Sequence, residues 1–517
     1  MKKQQLPILV SLLIAGLFSC LLLVIEPGQS PVFFWIKSTL FTTVLFYILK
    51  LAIKTLQTNT SATSATWVAL ILRVALGLIL FAVLPIWGHN EDAPRAGYLY
   101  LDAYRRDSQA WSLAQSGRLL WAAFQADFYA DQYGGMLAIS ALLYRTISSD
   151  AQRPTLIIFF CSFVAALGIP FLWSAVRKKW GENVATLCAW ILCLYPESMV
   201  LGSAQMREPI LIGLSGIAIW GVDFWKEDKK KAIFAISASM LSMAAISLRA
   251  AVVMVVFLAI WFLLENLDPI FKRNQRLFFG SLLLLCVIVG LTLTANWLIE
   301  SARYDLFLME SSSGRIQTEL DKVSGIWRVP FIVGYGVLQP VLPATLIYPS
   351  LALMQAISIY RAVGWYLLAP LIILSFFHIW RTEEKQDKRL LLWMLVFSIV
   401  WIFVSSLRAG GDQWDNVRYR TIALSIMAIV ASYAYFRQKE KPTIWFGRVI
   451  ALEIFFILVF LHWYISRYIE IWERLPFWQM ILLIIVCSAI FILICIIYDI
   501  LKKRKQNSMG NLGDSHR

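Results

Sequence analysis

The sequence predicts an all-α, polytopic transmembrane bundle of about 12–14 helices, with further amphipathic helices in its first long outer loop. Three observations carry this. Of 517 residues, 59% are hydrophobic and only 15% charged, and the mean hydropathy is +0.68. A soluble domain cannot present that much apolar surface, so the bilayer is the solvent. The formal charge of +15 is gathered in short loops between apolar runs, which is membrane topology and not a nucleic-acid surface.

Apolar runs long enough to cross a ~30 Å hydrocarbon core fall at 6–25, 32–53, 67–87, 155–176, 183–201, 209–225, 232–248, 250–265, 277–298, 361–380, 389–407, 420–436, 449–466 and 477–500. The first reads as a retained signal-anchor, since apolar residues continue past Cys20 through Ile25. With Lys2 and Lys3 inside, every even-numbered turn is basic: Lys50/Lys54, Arg177–Lys179, Lys226 with Lys229–Lys231, Lys272/Arg273/Arg276, Arg381–Arg389, Arg437–Arg448 and the tail Lys502–Lys505. The positive-inside rule therefore puts both termini in the cytoplasm of a multi-pass cell-membrane protein. The outer turns are 88–154, 202–208, the Arg249 turn, 299–360 and 408–419. Residues 107–125 and 135–147 are expected as amphipathic helices at the interface, and 329–359 as a helix pair or re-entrant segment. The domain plan is an N-terminal helix pair (1–66), a core (67–436), C-terminal helices (437–501) and a cytoplasmic tail (502–517).

The outer turns hold the carboxylates. In a helix over 102–116, Asp102 faces Arg106 at i+4, a ready ion pair. Asp107 shares its face with Ala103, Tyr104, Ala110, Trp111 and Ala114, has no helical partner, and is the candidate working carboxylate. In Tyr195–Pro209, Glu208 stands before Pro209 at the positive end of a new helix, next to Arg207, with Glu197 nearby. In Arg408–Arg420, two arginines, Arg418 and Arg420, follow a Gly-Gly turn and suit forked binding of phosphate, or ion pairing with Asp415. Arg249 is a further outer arginine. The seven cysteines lie in apolar runs and read as core residues. His89, His378 and His462 are scattered, so no metal site is expected. There is no Walker loop or dinucleotide fingerprint, hence no cofactor. Any transfer chemistry must then use a membrane-borne or external donor.

The order of these motifs resembles the GT-C superfamily of integral-membrane glycosyltransferases, of the protein O-mannosyltransferase and aminoarabinose transferase type, over roughly residues 67–436. The resembling motifs are Asp107-x-x-x-Trp111-x-x-Ala114, Pro196 followed by Glu208, and Arg418-Tyr419-Arg420. Two departures stand out. Ser108 occupies a position where many members carry a second acidic residue, and two helices precede the catalytic loop instead of one. The resemblance implies a polyprenyl-phosphate-sugar donor at the outer leaflet and a glycan, lipid or protein acceptor. It makes Asp107 the general base for inverting attack by an acceptor hydroxyl, with Glu208 in support. Asp102, Arg207, Arg249, Arg418 and Arg420 become substrate-binding residues. A polymerase or ligase of polyprenyl-diphosphate-linked glycans is the nearest rival, with Arg303, Arg315 and Arg328 as its essential residues. A transporter or flippase needs ionisable groups at mid-membrane, and the helix centres read as nearly uncharged.

Overall fold

The computed structural model describes residues 2–128, 131–270, 323, 325–408 and 414–514. The candidate helix 277–298, Arg303, Arg315 and the Gly-Gly turn lie outside the described residues. Among those described, every regular element is helical. A hairpin of α1 (Lys2–Ile25) and α2 (Pro31–Thr55) precedes α3 (Thr60–Trp87). The first outer loop folds as α4 (Asp92–Arg95), α5 (Leu101–Gln115), a 3-10 turn (Leu120–Phe124) and α6 (Gly135–Thr146). Then come α7 (Pro154–Trp180), α8 (Glu182–Leu194), α9 (Pro196–Gly202), α10 (Glu208–Asp223), α11 (Lys229–Ile246) and α12 (Leu248–Ile270). The second half holds α13 (Gly325–Leu338), α14 (Leu342–Ile347), α15 (Ala352–Trp380), α16 (Lys385–Arg408), α17 (Asp415–Thr421), α18 (Leu424–Glu440), α19 (Trp445–Tyr468) and α20 (Phe477–Asp514).

Nine of the described helices are long and apolar enough to cross a membrane: α2, α3, α7, α10 with its following turn, α12, α15, α16, α19 and α20. A tenth span forms if α8 and α9, bent by 52° at Tyr195-Pro196, count as one. The expected runs 183–201 and 420–436 are thus each broken, the second into α17 and α18. At the bundle centre α7 crosses α10 without side chains between them. A Cβ on Gly213 would sit 2.0 Å from Val164 O, and one on Gly168 2.4 Å from Gly213 O. Where lipid removes the hydrophobic drive between helices, such backbone approach is what association uses.

Several of the described basic turns are ion-paired. Lys178 reaches Glu227 at 2.8 Å, Lys179 reaches Glu265 at 2.5 Å, and Arg448 pairs with Asp499 at 2.6 Å. In the first outer loop α5 buries Ala103, Arg106, Asp107, Ala110 and Leu113, and α6 buries seven of its residues, Gly135 to Tyr144. The first of these helices begins earlier than the expected 107–125 and ends at Gln115, because Gly117 leaves the helix at φ +70°.

Backbone breaks inside the bundle need partners, since no water is there to satisfy them. Buried arginines supply them. Arg73 of α3 donates to Leu192 O (2.6 Å) at the end of α8 and to Ser198 Oγ (3.0 Å) in α9. Arg420 donates to Gln339 O (2.8 Å) and Val337 O (3.3 Å), where α13 turns into α14. Trp365 Nε1 also reaches Val337 O, at 2.8 Å. Trp365 lies roughly 20 Å along α15 from Ala352, at about 1.5 Å per residue, so α13 and α14 form a re-entrant pair whose tip is deep in the protein. The sequence expectation that helix centres are nearly uncharged is corrected here. Arg73, Arg361 and Arg420 are all 1% exposed or less; Nη groups of Arg73 and Arg420 donate at broken helix ends, and Arg361 donates to Glu197.

Candidate functional site

Three elements converge at the outer-loop end: the first turn of α5, the start of α10 and α17. Asp102 stands in the first turn of α5 and Glu208 opens α10, both at positive helix ends. Between them lies Arg418. Its Nη1 donates to Asp102 Oδ2 at 3.1 Å, and its Nε is 3.0 Å from Glu208 Oε1. Arg418 and Glu208 are buried, but the Asp102 side chain is 50% exposed. One carboxylate of the group thus faces outward while the charges behind it are enclosed. Burial acts to raise the Asp102 carboxyl, yet Arg418, Arg106 and Arg207 outweigh it and hold the group below the usual aspartate range.

Neighbouring side chains extend the cluster. Arg106 donates to Gln205 O at 2.9 Å and lies 4.0 Å from Asp131, whose other oxygen accepts from Leu137 N in the first turn of α6. Arg207 is half-buried, with its guanidinium 5.5 Å from the Tyr133 ring. The expected local pairs are therefore replaced. Asp102 bonds Arg418 and not Arg106, and Glu208 is ion-paired with Arg418 Nε at 3.0 Å while neither of its oxygens accepts a hydrogen bond. Each new pair joins elements far apart in the chain, which a window of four residues cannot reveal.

Asp107 is fully enclosed. Its Oδ2 accepts from Tyr98 (2.7 Å) and Gln152 (2.6 Å), and its Oδ1 from Tyr144 (2.5 Å). Burial pushes the Asp107 carboxyl above its usual range despite these donors. Both carboxylate oxygens accept hydrogen bonds, and the side chain has no exposed surface. Glu26, in the turn between α1 and α2, lies close by; it accepts from Thr155 Oγ1, and burial pushes it up to about 8. The two N-terminal helices thus brace the first long loop. Ser30 N donates to Asp150, and Arg153 donates to Glu26 O while stacking on Phe34 at 3.9 Å.

The remaining candidates fall elsewhere. Arg420 is buried at the re-entrant tip, over the Trp365 ring at 3.4 Å. Arg249 is half-buried in the first turn of α12. Glu197 is paired with a residue the sequence did not single out, Arg361, at 2.5 and 3.0 Å. The signal for Arg361 was an arginine heading an apolar run, a costly position without a partner. Among the described residues no three His, Cys, Asp or Glu side chains gather as metal ligands. An apolar cavity of about 770 Å³ opens between α13, α19 and α20, walled by Phe331, Tyr335, Leu338, Phe456, Phe460 and Trp478.

No family model matches the sequence, and no curated protein does either. Among solved structures, the chain is similar to the archaeal oligosaccharyltransferase AglB from Archaeoglobus fulgidus, solved with an inhibitory peptide and a dolichol-phosphate. The identity is 13% and the TM-score 0.39, covering 83% of this chain and 54% of that one. This chain thus spans about half the length of that one.

Proposed function

We propose that the protein is a membrane glycosyltransferase that moves a sugar from a polyprenyl-phosphate donor to an acceptor hydroxyl at the outer face. One observation carries the reading: a half-exposed Asp102 locked to the buried Arg418–Glu208 pair, at the bundle end that also bears the apolar cavity beside α13. A carboxylate held ionised at a membrane surface suits a base. Buried guanidinium behind it suits a departing phosphate, and an apolar cavity suits a lipid chain.

In this reading Asp102 takes the proton of the acceptor hydroxyl as its oxygen bonds the anomeric carbon. The bond from that carbon to the phosphate oxygen breaks on the opposite face, with inversion. Arg418 and the half-exposed Arg207 receive the negative charge on the released polyprenyl phosphate. Glu208 holds Arg418 in place. Asp107, to which the family resemblance assigns the base, is enclosed and bonded by Tyr98, Tyr144 and Gln152; its role in this reading is to anchor α5. Transport is disfavoured because Arg73 and Arg420, arginines inside the bundle, donate to broken helix ends.

The test is transfer from labelled polyprenyl-phosphate sugars to an acceptor extract, in membranes carrying wild type, Asp102→Asn or Asp107→Asn. Loss of transfer in Asp102→Asn at unchanged protein level is expected. The acid limb of the wild-type profile should lie below the ordinary aspartate value of 3.8. An acid limb above that value, with full activity in Asp102→Asn, returns the base to Asp107. Transfer only from diphosphate-linked glycans moves the assignment to a polymerase or ligase.

A further inference from the structure

Behind the candidate site lies a second buried ion pair that the proposed chemistry does not use. Arg361 of α15 and Glu197 of α9 are 1% and 0% exposed and bonded through two oxygens. The same guanidinium does two more things. Its Nη2 donates to Trp414 O at 3.2 Å, and its Cζ lies 4.3 Å from the Trp414 ring centre. Trp414 O is also the acceptor for Arg418 N, the first helical hydrogen bond of α17. Arg361 therefore bonds the carbonyl from which the turn carrying Arg418 starts. On its other side the Trp414 ring meets Tyr100 edge-on, at 6.0 Å and 85°. Tyr100 is the residue at the foot of α5, two before Asp102, and it is 7% exposed.

We infer that Arg361, held by Glu197, is a positioning residue: through Trp414 and Tyr100 it sets the separation of Asp102 and Arg418. Glu197 neutralises Arg361, so the pair adds little net field to the site and acts through geometry. The planar fork matters, because a lysine ammonium cannot bond both Glu197 oxygens and the Trp414 carbonyl in one plane. The inference rests on the glycosyltransferase reading for its kinetic consequence, not for its structural one.

Two experiments on the full chain separate these. The double variant Glu197→Leu/Arg361→Met replaces a buried ion pair by apolar side chains of similar volume, which folded proteins generally tolerate, while removing the contact to Trp414. It should retain the wild-type thermal midpoint yet lose roughly 10–100-fold in kcat, with the donor KM nearly unchanged. Arg361→Lys keeps the charge and should not restore the rate. Wild-type kcat in either variant overturns the inference. Geometry is read independently of activity, with Asp102→Cys/Arg418→Cys bridged by a short bifunctional thiol reagent. The double variant background should slow bridging several-fold, and an unchanged bridging rate overturns the inference. If wild type transfers no sugar from any donor, the functional reading falls and the bridging rate alone decides the role of Arg361.

Discussion

Replacing Arg420 by Met tests whether buried arginines here serve the backbone or a substrate. The substitution removes donors from Val337 O and Gln339 O and empties the face of Trp365. Val337 O keeps Trp365 Nε1, so the larger loss falls on the charge-assisted bond to Gln339 O, at about 1.5–3 kcal/mol. The second hydrogen bond adds about 1 kcal/mol, and a desolvated cation over a ring about 2 kcal/mol. Relief of a buried charge offsets part of this. A net destabilisation of about 2–4 kcal/mol is expected. The assay is reversible unfolding in mixed micelles, joined to thiol labelling of Val341→Cys at the hairpin tip, where Val341 is 2% exposed. The introduced thiol should be protected in an otherwise wild-type chain and reactive with Arg420→Met. Unchanged stability, a protected thiol and lost transfer together would falsify this reasoning and make Arg420 a substrate ligand, as the family resemblance implies.

Three further outcomes follow from the same contacts. Burial holds Glu26 at about 8 against 4.5 unfolded. The folded state thus binds its proton more tightly, and this stabilisation is complete below about pH 4.5 and fades as pH rises to about 8. Unfolding midpoints of Glu26→Gln should lose that decline, and an identical pH slope in both proteins would count against it. Gly213→Ala drives a methyl into Val164 O, 2.0 Å away, and should cost about 1–3 kcal/mol in a tightly packed crossing, seen as a lower thermal midpoint. Lys441→Ala removes an exposed pair with Glu383 at 3.4 Å and should leave that midpoint unchanged, since such pairs contribute about 0–1 kcal/mol.

The helices were legible because lipid imposes one demand on every span, an apolar run of sufficient length. The breaks were less so. Pro196 and Pro340 are visible in the sequence. Whether a proline kinks a span, ends it or turns it back depends on which donor waits beside the freed carbonyls. Those donors, Arg73 and Arg420, come from other helices. The site was half legible. Asp102, Glu208 and Arg418 were each marked by residue type at an outer turn, but partners were sought within one helical turn. The true partner of Asp102 is 316 residues away. Asp107 shows the opposite error: absence of a local partner suggested a free carboxylate, while Tyr98, Tyr144 and Gln152 were waiting in the same loop.

A charged residue inside a membrane bundle is often taken to mark a pathway or an active centre. Here that inference needs a second question: is the side chain already answering a demand of the backbone? Arg73 and Arg420 lie beside a bend and a re-entrant tip, and Arg361 beside the first carbonyl of α17; each has its fork bonded to a carbonyl there. Arg73 and Arg420 are what allows irregular backbone inside the bundle. Irregular backbone in turn brings Glu208 and Arg418 below the rim, within reach of Asp102. Arg207, whose described contact is a ring face, Asp102, half in solvent, and Glu208, neither of whose oxygens accepts a hydrogen bond, have capacity left for a ligand. The division between scaffold and chemistry therefore follows which hydrogen-bonding groups remain uncommitted, not charge or depth alone.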